Sequence, residues 1–167
     1  MELTLLVAMA ENRVIGNKGR IPWELKEDMR RFRRLTLGHA VIMGRVTYES
    51  ILQTYGKPLD KRLNVVLTKQ PNSPNGENVL TAKSLEEALQ KAKEHPEYKN
   101  QTEVYILGGQ RVYEQFMPLA DKIELTKIHK PYEGDAFFPE IKAEEWKETR
   151  IEDYGSYSFI TLSRVKK

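Results

Sequence analysis

Ala40-Val41-Ile42-Met43-Gly44-Arg45-Val46-Thr47-Tyr48-Glu49-Ser50-Ile51 and, farther along, Glu103-Val104-Tyr105-Ile106-Leu107-Gly108-Gly109-Gln110-Arg111-Val112-Tyr113 share one design. Each is a short apolar run, read as a strand buried on both faces, then glycine, then the start of a helix. Such units predict an α/β fold with a mainly parallel sheet. Two of these turns in one sheet would bring two helix amino termini toward one side, where free backbone N–H groups suit a ligand with several phosphates. The Gly108-Gly109 pair permits a close backbone approach that side chains would block. Neither stretch is a GxGxxG or a Walker motif, so the standard dinucleotide and P-loop readings fail. Arg45 opposes the helix dipole unless an anion binds there; the alternative is a solvated pairing with Glu49 one turn on.

Upstream, Leu3 to Met9 is nearly continuous in apolar residues and reads as a central strand. Ala10 to Glu24 holds Gly16, Gly19 and Pro22 without helical period, a long loop able to lie over a site. Then Leu25, Asp28, Met29 and Phe32 fall at i, i+3, i+4 and i+7, one apolar stripe of a helix that Gly38 ends. Lys26, Glu27, Arg30, Arg31, Arg33 and Arg34 read as the solvent face. Asp28 is thus a carboxylate where a core helix should have none, and an ionised carboxylate buried without partners is costly. Either it serves the helix terminus, or it has a protein partner, or it accepts hydrogen bonds from a ligand.

Downstream, Tyr55 to Arg62 is a turn-rich loop with several cations, followed by a strand from Leu63 to Thr68. Lys69 to Asn78 reads as an exposed connection and Val79-Leu80 as a short strand. Ser84-Leu85-Glu86-Glu87 opens a helix as a capping box, and His95-Pro96 stops it. Lys122 to Ile128 reads as a strand and Tyr132 to Pro139 as a loop turning at Gly134. Trp146 to Asp153 and Ser156 to Val165 read as antiparallel strands joined near Tyr154-Gly155. The expectation is one α/β domain over residues 1–167, its central sheet mostly parallel with an antiparallel C-terminal edge, flanked by helices.

The 27 Lys and Arg against 24 Asp and Glu leave a net charge of +3, too little to demand nucleic acid. Without cysteine there is no disulfide framework, thiol nucleophile or thiolate metal site. His39, His95 and His129 lack ligand spacing, so no metal is expected. The amino-terminal apolar run has neither a basic leader nor a spanning length. A cytoplasmic monomer, away from membranes, is the expectation.

The ordered series Val14-Ile15-Gly16, Pro22-Trp23, Asp28 with Phe32, Val41-Ile42-Met43-Gly44-Arg45 with Thr47 and Glu49-Ser50, Gly108-Gly109 with Tyr113, Leu125-Thr126, and Gly134-Asp135 with Phe138-Pro139 resembles dihydrofolate reductase of the bacterial chromosomal type. The resemblance runs from Leu3 to the final strand. It implies an eight-stranded sheet and the NADPH-dependent reduction of 7,8-dihydrofolate to tetrahydrofolate, an oxidoreductase step of one-carbon metabolism and an antifolate target. Hydride would pass from nicotinamide to the carbon beside the pterin imine nitrogen, which gains a proton.

The same resemblance implies the site. Asp28 would accept hydrogen bonds from the pterin amino group and ring nitrogen, Thr126 would bond to acid and pterin, and Trp23 would orient water beside them. Val7, Ala8, Phe32, Ile51, Leu59 and Leu107 would line the substrate, and Arg62 would grip its glutamate carboxylate. For NADPH it implies Ala8 and Ile15 at the carboxamide and Asn17 among the cofactor contacts, with Tyr113 packed at the nicotinamide and counted among the catalytic group. Leu107, Gly108, Gly109, Gln110, Arg111 and Val112 would cradle the pyrophosphate. Gly44, Arg45, Val46, Thr47, Leu67, Thr68, Lys69 and Lys83 would surround the phosphates and adenosine. Val46 stands where a basic or polar residue is common, and the hairpin around Asp153 to Ser156 is short, so an active-site loop from Asn12 to Trp23 that docked on it would be balanced differently. Alternatives are a same-fold NADPH reductase of another heterocycle, or a nucleotide-binding regulator without turnover.

Overall fold

Leu3, Leu5, Val7 and Met9 pack into the core on one side of the first strand and Leu6 on the other, so β1 (Glu2–Ala10) is buried on both faces. The computed structural model describes residues 1–70 and 76–165; part of the connection expected from Lys69 to Asn78 lies outside the described residues. After β1 come β2 (Val14–Gly16), α1 (Lys26–Thr36), β3 (Ala40–Gly44), α2 (Arg45–Tyr55), β4 (Leu63–Leu67), β5 (Val79–Ala82) and α3 (Leu85–Glu94). Then follow β6 (Glu103–Ile106), α4 (Gln110–Phe116), β7 (Lys122–Ile128), β8 (Ala136–Phe137), β9 (Trp146–Asp153) and β10 (Tyr157–Arg164).

Eight strands form one sheet in the order β5-β4-β3-β6-β1-β7-β10-β9. The six from β5 to β7 are mutually parallel, and β10 runs antiparallel between β7 and β9. The expected mostly parallel sheet with an antiparallel C-terminal edge is therefore present. The outermost strand is β9, with the last strand inserted inside it.

Both faces are covered. Val41, Met43, Val66 and Tyr105 meet Phe32, Leu35, Ile51 and Leu52 from α1 and α2. Ile42, Val65, Ile106 and Ile123 meet Ala88 and Ala92 of α3 and Val112, Tyr113 and Phe116 of α4. Local signals set the helix ends: Ser84 caps α3 by accepting from Glu87 N–H at 3.1 Å, and Gly38, at φ 78°, follows α1 in a conformation only glycine adopts without strain.

Two assignments on α1 differ from the periodic reading. Arg31, grouped with the solvent face, is 7% exposed and donates to Glu124 at 2.5 Å. Met29, grouped with the buried stripe, is 45% exposed. The face toward the sheet is Asp28, Arg31, Phe32 and Leu35; a helix stripe read from hydrophobicity alone could not include an arginine whose partner lies on β7.

The loop after β1 is fastened to the segment after β7. The strand β2 pairs antiparallel with β8, Asn12 Nδ2 donates to the Tyr132 carbonyl at 2.8 Å, and the Asp135 carboxylate accepts from Lys18 N–H at 3.2 Å. Gly134 makes this contact possible, since a Cβ there would lie 2.3 Å from Val14 Cγ1 and 2.5 Å from the Gly16 carbonyl oxygen. Gly134→Ala should cost about 1–3 kcal/mol in overpacking and release the fastening. Amide hydrogen exchange should accelerate at residues 14–18 while β1 and β7 stay protected; uniform protection in the variant would refute the assignment.

Candidate active site

The parallel register brings the two strand-glycine-helix turns together. β3 and β6 are neighbours, Leu107 N–H donates to the Ile42 carbonyl at 2.9 Å, and Gly44 N–H donates to the Gly108 carbonyl at 2.9 Å. A Cβ on Gly44 would stand 3.2 Å from Val112 Cγ2, and one on Gly109 3.8 Å from Thr47 Oγ1, so the amino ends of α2 and α4 share one cradle. Leu67 ends β4, Thr68 and Lys69 follow it, and Lys83 follows the neighbouring β5. The Gly108–Gly109 peptide bond is cis.

Several of these side chains already have protein partners. Arg45 pairs with Glu49 at 2.6 Å, the solvated arrangement. Gln110 Oε1 accepts from Phe137 N–H at 2.9 Å, tying α4 to β8. Lys83 N–H donates to Glu87 at 2.8 Å as part of the α3 cap. Val46 is 63% exposed, and Lys69 and Arg111 are exposed. Ile15 packs against the core from β2, and Asn17 closes a tight turn with Arg20.

Asp28 lies half-buried against β7, where Thr126 Oγ1 donates to its Oδ1 at 2.6 Å. Burial pushes its carboxyl above the usual range; the Thr126 hydrogen bond and the Arg31 charge oppose that rise without cancelling it. Ala8 is level with Thr126 across the β1–β7 ladder. Trp23 packs on Tyr132 with ring centres 5.2 Å apart and the planes tilted by 56°, a contact absent from the sequence reading.

Tyr113 is buried on the other side of β1. Its hydroxyl donates to the Leu6 carbonyl at 2.6 Å, its ring meets Phe138 edge-on at 4.9 Å, and a Cβ on Gly108 would fall 2.8 Å from it. Burial, with the Asp28 charge second, pushes the phenol well up, so the group offers a ring surface and no proton. Val7 turns its side chain into the core on the α3 and α4 side, and lies opposite Leu125 in the β1–β7 ladder.

Phe32, Leu59 and Arg62 gather on a cleft of about 260 Å³ between α1 and the Tyr55–Arg62 loop, with Met29, Arg30 and Lys57 on its walls. The exposed Met29 belongs to this cleft. Ile51 and Leu107 pack behind it with Phe32. Arg62 is 2% exposed: its Nε donates to the Asp60 carbonyl at 2.8 Å, Nη1 to Thr36 Oγ1 at 3.1 Å and Nη2 to Asp60 Oδ1 at 3.2 Å. Burial lowers its pKa and the nearby Asp60 charge raises it. The guanidinium is thereby held in one orientation at the cleft wall.

Sequence reasoning missed Arg31 and Glu124. The available signal was a cation one helical turn from Asp28 and an acid two residues before Thr126 in a strand otherwise buried.

A family model described as dihydrofolate reductase matches residues 2–164. The chain is 41% identical over 165 residues to dihydrofolate reductase HdrB of Haloferax volcanii, spanning 98% of this chain and 84% of that protein. It is 38% identical over 152 residues to the dihydrofolate reductase of Staphylococcus haemolyticus, spanning 91% and 85%. A solved structure of dihydrofolate reductase from Enterococcus faecalis, complexed with NADP(H) and RAB-propyl, superposes with a TM-score of 0.83 at 31% identity, covering 99% of this chain and 97% of that one.

The raised carboxyl at Asp28 has a signed consequence for stability. A carboxyl whose folded pKa exceeds its unfolded value of 3.8 favours the fold most below that value, and the contribution is lost as pH rises through the folded pKa. Asp28→Asn should therefore melt at a higher temperature than the native chain at pH 7, without ligands, and the difference should vanish at pH 3. Equal melting temperatures at pH 7 by calorimetry would contradict this.

Proposed function

The chain belongs to the dihydrofolate reductase family, and from that premise we propose that its one domain reduces 7,8-dihydrofolate to 5,6,7,8-tetrahydrofolate with NADPH, through Asp28. The observation that carries the reading is the half-buried Asp28 carboxylate, with Thr126 on one oxygen and acceptor capacity left over, one helical turn before Phe32, which lines a cleft with Leu59 and Arg62. An acid so placed matches a pterin that offers an amino group and a ring N–H side by side.

The residues fit the cofactor on a structural test: Gly44 and Gly108 let Val112 and the Tyr113 ring pack closely, a Cβ on Gly109 would meet nothing nearer than Thr47 Oγ1 at 3.8 Å, and the amino ends of α2 and α4 meet there. Gly44, Thr47 and the run Leu107 to Val112 would hold the pyrophosphate. Arg45, Val46, Leu67, Thr68, Lys69 and Lys83 would flank the adenosine end, with Arg45 exchanging Glu49 for phosphate. Ala8 and Ile15 would hold the carboxamide, Asn17 would be a further cofactor contact, and the Tyr113 ring would back the nicotinamide. When bound, NADPH supplies the hydride.

Asp28 as a carboxylate holds the pterin and raises its basicity by charge. Thr126 orients the acid by donating to Oδ1. Trp23, steadied by Tyr132, would position the water that delivers a proton to the imine nitrogen. The loop from Asn12 to Trp23, fastened to residues 132–138, would limit other water at the reacting carbon. Phe32, Ile51, Leu59 and Leu107 would pack the pterin and aminobenzoyl rings beside Val7 and Ala8, and Arg62, fixed by Asp60 and Thr36, would bind the glutamate carboxylate.

Loss of NADPH absorbance on adding dihydrofolate tests this reading. The native chain should turn over, and Asp28→Asn should lose about 100-fold or more in kcat/KM near neutral pH. A folded native chain that binds NADPH and shows no dihydrofolate-dependent oxidation would sink it.

A further inference from the structure

Asp28 and Arg31 stand one turn apart on the same face of α1, both toward β7. An aspartate and an arginine at i, i+3 ordinarily close on each other. Here they do not. The Asp28 carboxylate accepts from Thr126, and Arg31 Nη2 donates to Glu124 Oε2 at 2.5 Å. Glu124 and Thr126 alternate on β7 and so share a face of the sheet.

The pair is built in from all sides. Glu124 Oε2 also accepts from Thr161 Oγ1 at 3.0 Å, and Lys122 Nζ lies 3.7 Å from Glu124 Oε1. The Arg31 guanidinium sits over the Phe159 ring at 4.7 Å. Arg31 and Glu124 are each 7% exposed, and Arg31 Nη1 is buried with no hydrogen-bond partner among the described residues. A guanidinium with a spare donor beside an acid meant to accept two hydrogen bonds from a ligand is a competitor for that acid.

Resting on the reading of Asp28 as the pterin acid, we propose that Glu124 is a positioning residue that holds the Arg31 guanidinium against β7 and so keeps the Asp28 carboxylate open to substrate. The charged and titratable groups facing Asp28 are Arg31 from α1, Glu124 through Arg31 from β7, and Tyr113 from α4, whose hydroxyl is engaged with the Leu6 carbonyl. With Glu124 neutralised, Arg31 is free to turn to Asp28 one helical turn away on its own helix, Glu152 on β9 being the other carboxylate that feels its charge. The acid then enters an ion pair that substrate must break, and its titration moves down because a cation favours the charged form. Arg31 removed alone has the opposite effect on titration.

The test compares Glu124→Gln, Arg31→Met and the double variant in two measurements. One is KM for dihydrofolate at saturating NADPH; the other is the Asp28 carboxyl titration by 13C NMR in the ligand-free protein, assigned with Asp28→Asn. Glu124→Gln should raise KM roughly tenfold, the size of one competing charged hydrogen bond, and lower the Asp28 midpoint. Arg31→Met should raise that midpoint. The double variant should return KM to within about twofold of native, because the competitor has gone.

A double variant as impaired as Glu124→Gln, or worse, would overturn the proposal, since a purely structural pair gives that result. So would a Glu124→Gln protein with native KM and native Asp28 titration. Should Glu124→Gln fail to fold, Glu124→Asp loosens the clamp by one methylene and is judged by the same two measurements. Native-like turnover by Asp28→Asn would instead remove the pterin reading, and the ligand-free titration would still decide whether Glu124 keeps Arg31 off Asp28.

Discussion

Parallel pairing between neighbouring strands is what the two glycine turns and the Asp28–Thr126 contact depend on. Ala40 opposite Val104 and Ile42 opposite Ile106 bring Gly44 under the Gly108 carbonyl, and Ala8 opposite Thr126 sets the hydroxyl that meets Asp28. A slip of one residue in either ladder would turn these groups to the wrong face. The register is secured by burial: with Val41, Ile42, Val65 and Ile106 fully enclosed, any slip would also exchange two packed cores. Rigid strands thus place the groups that short turns display.

The helix α1 carries the opposing demand. It buries Phe32 and Leu35 on the sheet and, on the same face, the Asp28 carboxyl for which we propose a ligand. The fold accepts a carboxyl whose ionised form it disfavours, and ties the helix to β7 at two points, Asp28 to Thr126 and Arg31 to Glu124. Such a buried ion pair contributes position more than stability, because desolvation of both charges offsets their attraction. Function and stability pull apart at this helix.

The parts of the fold written in local signals were legible in the sequence. The two glycine turns, the Ser84 cap, the Gly38 stop and the closing hairpin all stand where short-range chemistry put them. Asp28 was visible because an acid interrupted an apolar stripe. Arg31 was not, because its burial depends on a glutamate 93 residues away and charge normally marks solvent. The fastening of residues 12–18 to residues 132–138 was hidden for the same reason: Gly134 reads as a turn, and only the tertiary fold shows Val14 against it. Of the residues assigned to ligands through resemblance, Phe32, Leu59 and Arg62 line one cleft and Gly44, Thr47, Gly108 and Gly109 lie together at the two glycine turns, with Arg45, Arg62 and Gln110 already engaged by protein groups.

The two tryptophans occupy unlike surroundings. Trp23 lies partly open on Tyr132, in the loop before α1, whereas Trp146 is buried at the start of β9 with the Arg164 guanidinium 4.4 Å from its ring. Their fluorescence should therefore separate into two voices: a red-shifted, quencher-accessible emission that reports the loop, and a shielded one that reports the sheet edge. The chain carries, without labelling, one optical probe for the loop before α1 and another for the integrity of its frame.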